Sequence, residues 1–145
     1  MLTRRRRCRV CCLQMLYALD NCKLTATETV DFFSDRLPTL PTYKKFTQEL
    51  FDGVYKNMEQ IDEVITKYAQ NWELSRMPSV DRNITRIAVY EMMHNRETPI
   101  NVIIDEAVEI AKKYSKAESS KFINAVLDRI KVIRIKKSAP TNGVL

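Results

Sequence analysis

The sequence predicts an all-α fold of about six to seven helices arranged in two helical halves, and three observations carry that reading. Pro38, Pro41, Pro78, Pro99 and Pro140 all fall between periodic segments, and of the two glycines only Gly53 sits inside one, which leaves long stretches free for helix. Apolar residues recur at three- and four-residue steps. No segment shows sustained period-two alternation flanked by hairpin turns. At 145 residues the chain fits one domain that buries roughly two-thirds of its unfolded surface without metals or cross-links. That domain is expected over 1–137, with halves at about 4–70 and 79–134 divided near Pro78, and a disordered tail over 138–145.

Taken in order, residues 5–20 form the first expected helix and residues 25–35 a short second one. From Lys44 to Tyr68 the stripe Phe46, Leu50, Val54, Met58, Ile61, Ile65 and Tyr68 reads as one amphipathic helix. Beyond Asn71-Trp72 and Pro78, Ser79 is placed to cap a helix with apolar face Ile84, Ile87, Ala88 and Met92. Thr98-Pro99 reads as a cap with proline in the first turn, followed by the face Ile100, Ile104, Ala107, Val108 and Ala111. The last helix, from about Ser119, buries Phe122, Ile123, Val126, Leu127 and Ile130.

Charge is unevenly placed. The first nine residues hold Arg4, Arg5, Arg6, Arg7 and Arg9 with no acid, and Arg129, Lys131, Arg134, Lys136 and Lys137 close the last helix. All 18 acidic residues lie between these blocks. A polyanion would meet two basic patches on a mildly acidic body. Arginine without lysine in the first block suits bidentate phosphate contacts. Arg7 and Gln14 lie nearly two turns apart on one stripe beside Tyr17, a basic and aromatic surface fit for single-stranded RNA. The bland alternative is a solubilising terminal run.

Other chemistry is excluded or weak. With Gly53 and Gly143 as the only glycines, neither a glycine-rich phosphate loop nor a dinucleotide fingerprint can form. No cofactor is expected. His94 is the sole histidine and reads as a cation at a helix end. Cys8 and Cys11 have the spacing of a zinc half-site, but Cys12 and Cys22 supply no second pair, so core packing is favoured and no metal is expected. Asp62-Glu63 and Asp105-Glu106 point about 100° apart on a helix and read as solvated faces. The apolar runs are too short to span a membrane. Arg4–Arg7 before Val10-Cys11-Cys12-Leu13 has the outline of a signal peptide, but Gln14 and Asp20 interrupt it and no cleavage site follows. A cytoplasmic location with reduced thiols is expected.

Five segments in order resemble the NusB family of bacterial transcription antitermination factors. They are Arg5-Arg6-Arg7-x-Arg9 with Leu13-Gln14-x-Leu16-Tyr17; Asn71-Trp72; Asp81-Arg82-x-Ile84-x-Arg86-Ile87-Ala88-x-Tyr90-Glu91; Pro99-x-x-Val102-x-Ile104-Asp105-Glu106-Ala107-Val108-Glu109-x-Ala111-Lys112; and Glu118-Ser119-x-Lys121-Phe122-x-Asn124-x-Val126-Leu127-Asp128. The chain departs from the family pattern at Cys8 and Cys12, where small residues are common, and at Ala125, where glycine is common. Cys8 among arginines is expected to have a lowered pKa and to be oxidation-prone.

The resemblance implies a non-enzymatic, all-helical protein that binds single-stranded boxA RNA jointly with the ribosomal protein NusE. It would act with RNA polymerase and other Nus factors, chiefly in ribosomal RNA transcription, as a monomer or a homodimer that covers its arginine surface. Residue by residue it implies an RNA surface at Arg4, Arg5, Arg6, Arg7, Arg9, Gln14 and Tyr17, and a second at Glu118, Lys121 and Phe122, with Phe122 equally suited to the core. It places the NusE-facing candidates Asp81, Arg86, Tyr90 and Glu91 on the second half, as exposed helix charges. Two alternatives stand beside it. One is the RNA-binding domain of an RNA cytosine methyltransferase, which would need a further cofactor-binding domain with its own glycine-rich loop. The other is a helical adaptor that binds protein only.

Overall fold

A computed structural model describes residues 4–70 and 73–134. Asn71-Trp72, Lys136, Lys137 and the 138–145 tail lie outside the described residues. The described residues form seven α-helices and no strand: α1 (Arg4–Asn21), α2 (Ala26–Phe33), α3 (Pro41–Lys56), α4 (Met58–Tyr68), α5 (Ser79–His94), α6 (Ile100–Tyr114) and α7 (Ala117–Ile130). Short 3-10 turns follow α2 at Ser34–Arg36 and precede α5 at Leu74–Arg76.

Local chemistry sets the ends. Thr25 and Glu28 close a reciprocal capping box at α2: Thr25 Oγ1 accepts from the Glu28 N–H at 3.1 Å, and Glu28 Oε1 accepts from the Thr25 N–H at 2.9 Å. Pro41 opens α3 in the first turn, where its lost N–H is no cost. Helices α5 and α6 are entered through the extended backbone of Pro78 and Pro99. Neither Ser79 nor Thr98 caps them as the sequence suggests. Ser79 is inside α5, with its hydroxyl between Asp20, Asn21 and Asn83, and Thr98 Oγ1 accepts from Asn95 Nδ2 at 2.9 Å.

The stretch expected to be one helix from Lys44 to Tyr68 is two. Helix α3 ends at Asn57, whose N–H and Nδ2 both donate to the Gly53 carbonyl, at 3.0 and 2.8 Å. Asn57 leaves helical geometry at φ −109° and ψ 16°, and α4 begins at the next residue.

Two helices lie at the centre. Helix α1 packs against α2, α3, α5 and α6, and α5 against α1, α3, α4, α6 and α7. The core draws on Cys8, Cys12, Met15 and Leu16 of α1, Phe51 and Val54 of α3, Ile61 and Ile65 of α4, Val89 and Met92 of α5, and Ile123, Leu127 and Ile130 of α7. Each large apolar side chain buried here contributes about 1.5–3 kcal/mol. Gly53 has a steric purpose: a Cβ there would lie 2.1 Å from Cζ of Tyr90, so the bare backbone of α3 accepts the Tyr90 ring of α5. No helix among the described residues is long and apolar enough to cross a membrane.

Candidate nucleic-acid interface

The arginines at the start of α1 look alike in sequence but separate by helix geometry. Successive residues turn by about 100°, so the run cannot face one way. Arg4, Arg5 and Arg7 are exposed, Arg6 is half-buried, and Arg9 is buried at 3% exposure. Arg9 forks onto Glu91 of α5, with Nε and Nη2 donating at 2.8 and 2.9 Å, and its Nη1 donates to Glu106 of α6 at 3.2 Å. Arg6 Nε donates to the same Glu106 at 3.1 Å, and a short ion pair joins its Nη2 to that carboxylate. Burial works against the charge on Arg9. The hydrogen bonds and attraction of Glu91, with Glu106 adding to them, outweigh it and hold the guanidinium above its usual pKa. At Arg6 the Glu106 hydrogen bond is the main cause of a pKa raised in the same direction. The expectation that Arg9 meets phosphate is therefore corrected: its donors are committed to a buried three-helix network.

Two of the outward arginines, Arg4 and Arg5, have aromatic supports, and Arg4, Arg5 and Arg7 have no carboxylate partner among the described residues. Arg4 lies 5.7 Å from the Tyr43 ring centroid and Arg5 4.5 Å from that of Phe46. No ion pair to Arg4, Arg5 or Arg7 is formed among the described residues. Gln14 and Tyr17 are exposed, Tyr17 at 45%. Gln14 continues the helix face of Arg7, since seven residues return the chain to within about 20° of the same direction, and Tyr17 stands about 60° around from Gln14. A guanidinium, an amide and a ring thus border one another on this side of α1.

At the start of α7, Glu118 and Lys121 are exposed, while Phe122 is half-buried and packs against the core cluster. Helix α7 packs on α4, α5 and α6, and is linked to the α1 face through α6. Among the described residues of the second basic block, Arg129 and Arg134 are turned to the protein's own backbone. Arg134 donates to the carbonyls of Glu91, Met92, Asn95 and Thr98 at 2.7–3.1 Å, capping the C-terminal end of α5. Arg129 reaches the Tyr68 carbonyl at 3.3 Å and Lys131 pairs with Asp128 at 2.7 Å.

Three of the four α5 candidates are not exposed charges. Asp81 accepts from Ser119 Oγ at 2.7 Å and from Ser115 Oγ, tying α5 to the α6–α7 connection. Arg86 forks onto Asp62 of α4 at 2.8 and 2.9 Å and reaches Asp20 of α1 at 3.3 Å. Glu91 receives Arg9. All three are buried, whereas Tyr90 is half-buried over Gly53, with its pKa raised by burial and then by the charge of Glu49. The expected exposure of Asp81, Arg86 and Glu91 is corrected: these positions of a central helix face its neighbours, and their polar groups are satisfied internally.

The cysteine expectation is also corrected in part. Cys8, Cys11 and Cys12 are buried core residues, and among the described residues no three His, Cys, Asp or Glu are placed to hold a metal. Burial pushes the Cys8 thiol up in pKa despite Arg9 and Arg5, and pushes Cys11 to about 11.

The model of the NusB family matches residues 6–132. The chain belongs to the NusB family. The transcription antitermination protein NusB of Trichlorobacter lovleyi is 44% identical over 126 residues, covering 87% of this chain and 89% of that protein. NusB of Bacillus subtilis is 38% identical over 88% of this chain and 95% of its own length. Among solved structures, T. maritima NusB superposes with a TM-score of 0.81 at 32% identity, over 94% of this chain and 99% of that one. A complex of NusB and NusE with double-stranded RNA shares the fold, with a TM-score of 0.81 at 23% identity over 92% of this chain and 99% of that one.

The sequence reading missed Arg36, Tyr43 and Phe46. Arg36 follows Asp35 and reads as one of an ordinary pair of loop charges, and neither ring breaks the helical pattern, so no local signal marks them.

Proposed function

We propose that this NusB-family chain is a cytoplasmic, non-enzymatic antitermination factor that binds single-stranded boxA RNA through the outward face of α1, jointly with NusE. In this reading it acts within the transcription complex, with RNA polymerase and other Nus factors, chiefly on ribosomal RNA. The observation that carries the RNA reading is the division of the arginine run: Arg4, Arg5 and Arg7 face outward with no carboxylate partner, while Arg6 and Arg9 are held by Glu91 and Glu106. Unpaired guanidiniums on a rigid helix track phosphates, and the exposed Tyr17 beside Gln14 suits stacking on an unpaired base. Lys121 supplies a further cation at α7. Of the α5 candidates, Tyr90 is the one with side-chain surface to offer NusE.

Titration of a fluorescent boxA-like strand, with and without NusE, tests the reading. Binding strengthened by NusE is expected, and Arg7→Ala lowers both affinity and the magnitude of the salt slope, the latter by about 0.7 for one lost single-strand phosphate contact. Equal competition by duplex RNA would replace the single-strand reading. No RNA binding at low salt under either condition would leave a protein-only adaptor.

A further inference from the structure

The groove between the start of α1 and the α2–α3 connection has features that the α1 face does not account for. It has a volume of about 330 Å³ and is lined by Arg4, Arg7, Cys11, Arg36, Leu40 and Tyr43, among others. That volume is at the lower end of the roughly 300–1,000 Å³ of small-ligand sites. Three guanidiniums, from two separate elements, converge on it.

Arg36 is held ready. Its Nη1 donates to the Phe32 carbonyl at 3.1 Å, and its guanidinium lies 4.7 Å from the Phe32 ring centroid and 5.8 Å from that of Phe33. These contacts fix the plane and leave the remaining N–H groups undirected to any carboxylate. Arg4 is likewise supported by Tyr43. Three like charges sharing a groove with no acid in its lining repel one another, and an anion relieves that repulsion. The lining also offers apolar surface: Leu40 is 49% exposed, and the Tyr43 ring is half-buried. Phosphate donors and an apolar, aromatic wall in one groove match the phosphate and the base of one nucleotide.

We propose that this groove is a nucleotide subsite, in which Arg36 with Arg4 and Arg7 grips a phosphate of the bound single strand while its base packs against Tyr43 and Leu40. The inference rests on the RNA reading above and extends the RNA path off α1 onto the α2–α3 connection. Arg36 then acts as a phosphate clamp set at an angle to α1, and the strand turns at this point.

The test uses the full chain and a 12-nucleotide boxA-like RNA with 2-aminopurine placed at successive positions, at several salt concentrations. Arg36→Gln is expected to weaken binding about tenfold and to lower the salt slope by about 0.7. Tyr43→Leu is expected to weaken binding severalfold with the slope unchanged, and to remove the fluorescence quenching at one position only. Thermal melting verifies that each variant is folded. Unchanged affinity and slope in Arg36→Gln, while Arg7→Ala loses both, would overturn the subsite and leave the RNA reading intact. If Arg7→Ala is also unchanged, the RNA reading falls first. If Arg36→Gln weakens binding of NusE but not of RNA, the groove is a protein contact and the subsite is overturned.

Discussion

Replacing Arg9 by alanine separates the structural arginines from the RNA-facing ones. Arg9 makes two bonds to Glu91 at 2.8 and 2.9 Å and one to Glu106 at 3.2 Å, and its side chain and that of Glu91 are 4% and 1% exposed. In Arg9→Ala, Glu91 keeps only the weak Asn95 Nδ2 contact at 3.4 Å, and Glu106 keeps Arg6. Removing one partner of a buried pair costs about 3–5 kcal/mol, because a charge is left buried without compensation. For a chain of this size about 1 kcal/mol moves the melting midpoint by roughly 4 °C, so the loss reads as a fall of about 10–20 °C. Urea unfolding followed by far-UV circular dichroism measures it directly. Replacing both partners, as in Arg9→Met with Glu91→Leu, is expected to recover most of the loss, since an apolar pair of similar volume leaves no orphaned charge. Below its transition, Arg9→Ala should bind boxA-like RNA with the wild-type salt slope. A cost under about 1 kcal/mol together with a slope lowered by about 0.7 would refute the assignment and return Arg9 to the RNA surface.

Three further outcomes follow from the packing. Gly53→Ala should cost stability in the wild-type background, where the new methyl meets Tyr90, yet gain about 1 kcal/mol in a Tyr90→Ala background, where only the helix preference for alanine remains; equal effects in both, measured by urea unfolding, would remove the steric reason for Gly53. Arg134→Ala should destabilise by about 1–3 kcal/mol, since four carbonyls at and just beyond the end of α5 each lose a donor, and should leave RNA affinity unchanged in the same titration. Thiol labelling of the native protein near pH 8 should modify Cys22 quickly and the buried Cys8, Cys11 and Cys12 only on unfolding. Because burial raises Cys11 in the folded state from 9.0 to about 11, its contribution to stability is whole below about pH 9 and is lost as pH rises toward 11, as the unfolded chain releases that proton first. Stability that is flat across this range in wild type, or a fall that persists equally in Cys11→Ala, would contradict it.

The helical architecture was legible because proline and period coincide: most of the helices carry an amphipathic stripe, and the breaks at Pro41, Pro78 and Pro99 lie within a residue or two of the observed starts. The break at Asn57 was hidden because the apolar stripe stays in phase across it. Val54, Met58 and Ile61 remain at helical spacing although the backbone turns, and no proline or glycine stands at the turn. The charges of α5 misled for a different reason. An amphipathic reading sends Asp81, Arg86 and Glu91 to solvent, but α5 packs against five other helices, and each charge meets a partner far along the chain. Arg86 finds Asp62 and Asp20, and Glu91 finds Arg9, 82 residues away. Nothing local encodes such pairings. They become visible only once the helices are packed.

The same packing decides how many phosphates the arginine run can hold. Arg5 stands about 200° around α1 from Arg7, and Arg4 about 60° from Arg7. Arg5 faces the Phe46 side, while Arg4 and Arg7 face the groove of Arg36 and Tyr43. A strand that touches all three must therefore cross the N-terminal end of α1 and cannot lie along one side of the helix. Arg6 and Arg9 point between these directions, toward α5 and α6, and are neutralised there by Glu91 and Glu106. In the proposed reading five arginines thus offer three phosphate contacts. Alanine variants at Arg4, Arg5 and Arg7 should together account for a salt slope of about 2, at roughly 0.7 for each contact, while Arg6→Ala and Arg9→Ala leave it near its wild-type value. Equal slope losses at all five positions would mean that RNA binding breaks the buried network and turns Arg6 and Arg9 outward, a rearrangement of α1 against α5 and α6 that amide hydrogen exchange at those helices would register as lost protection. Protection maintained or increased on RNA binding, with the slope divided three to two, is the outcome that a preformed α1 demands.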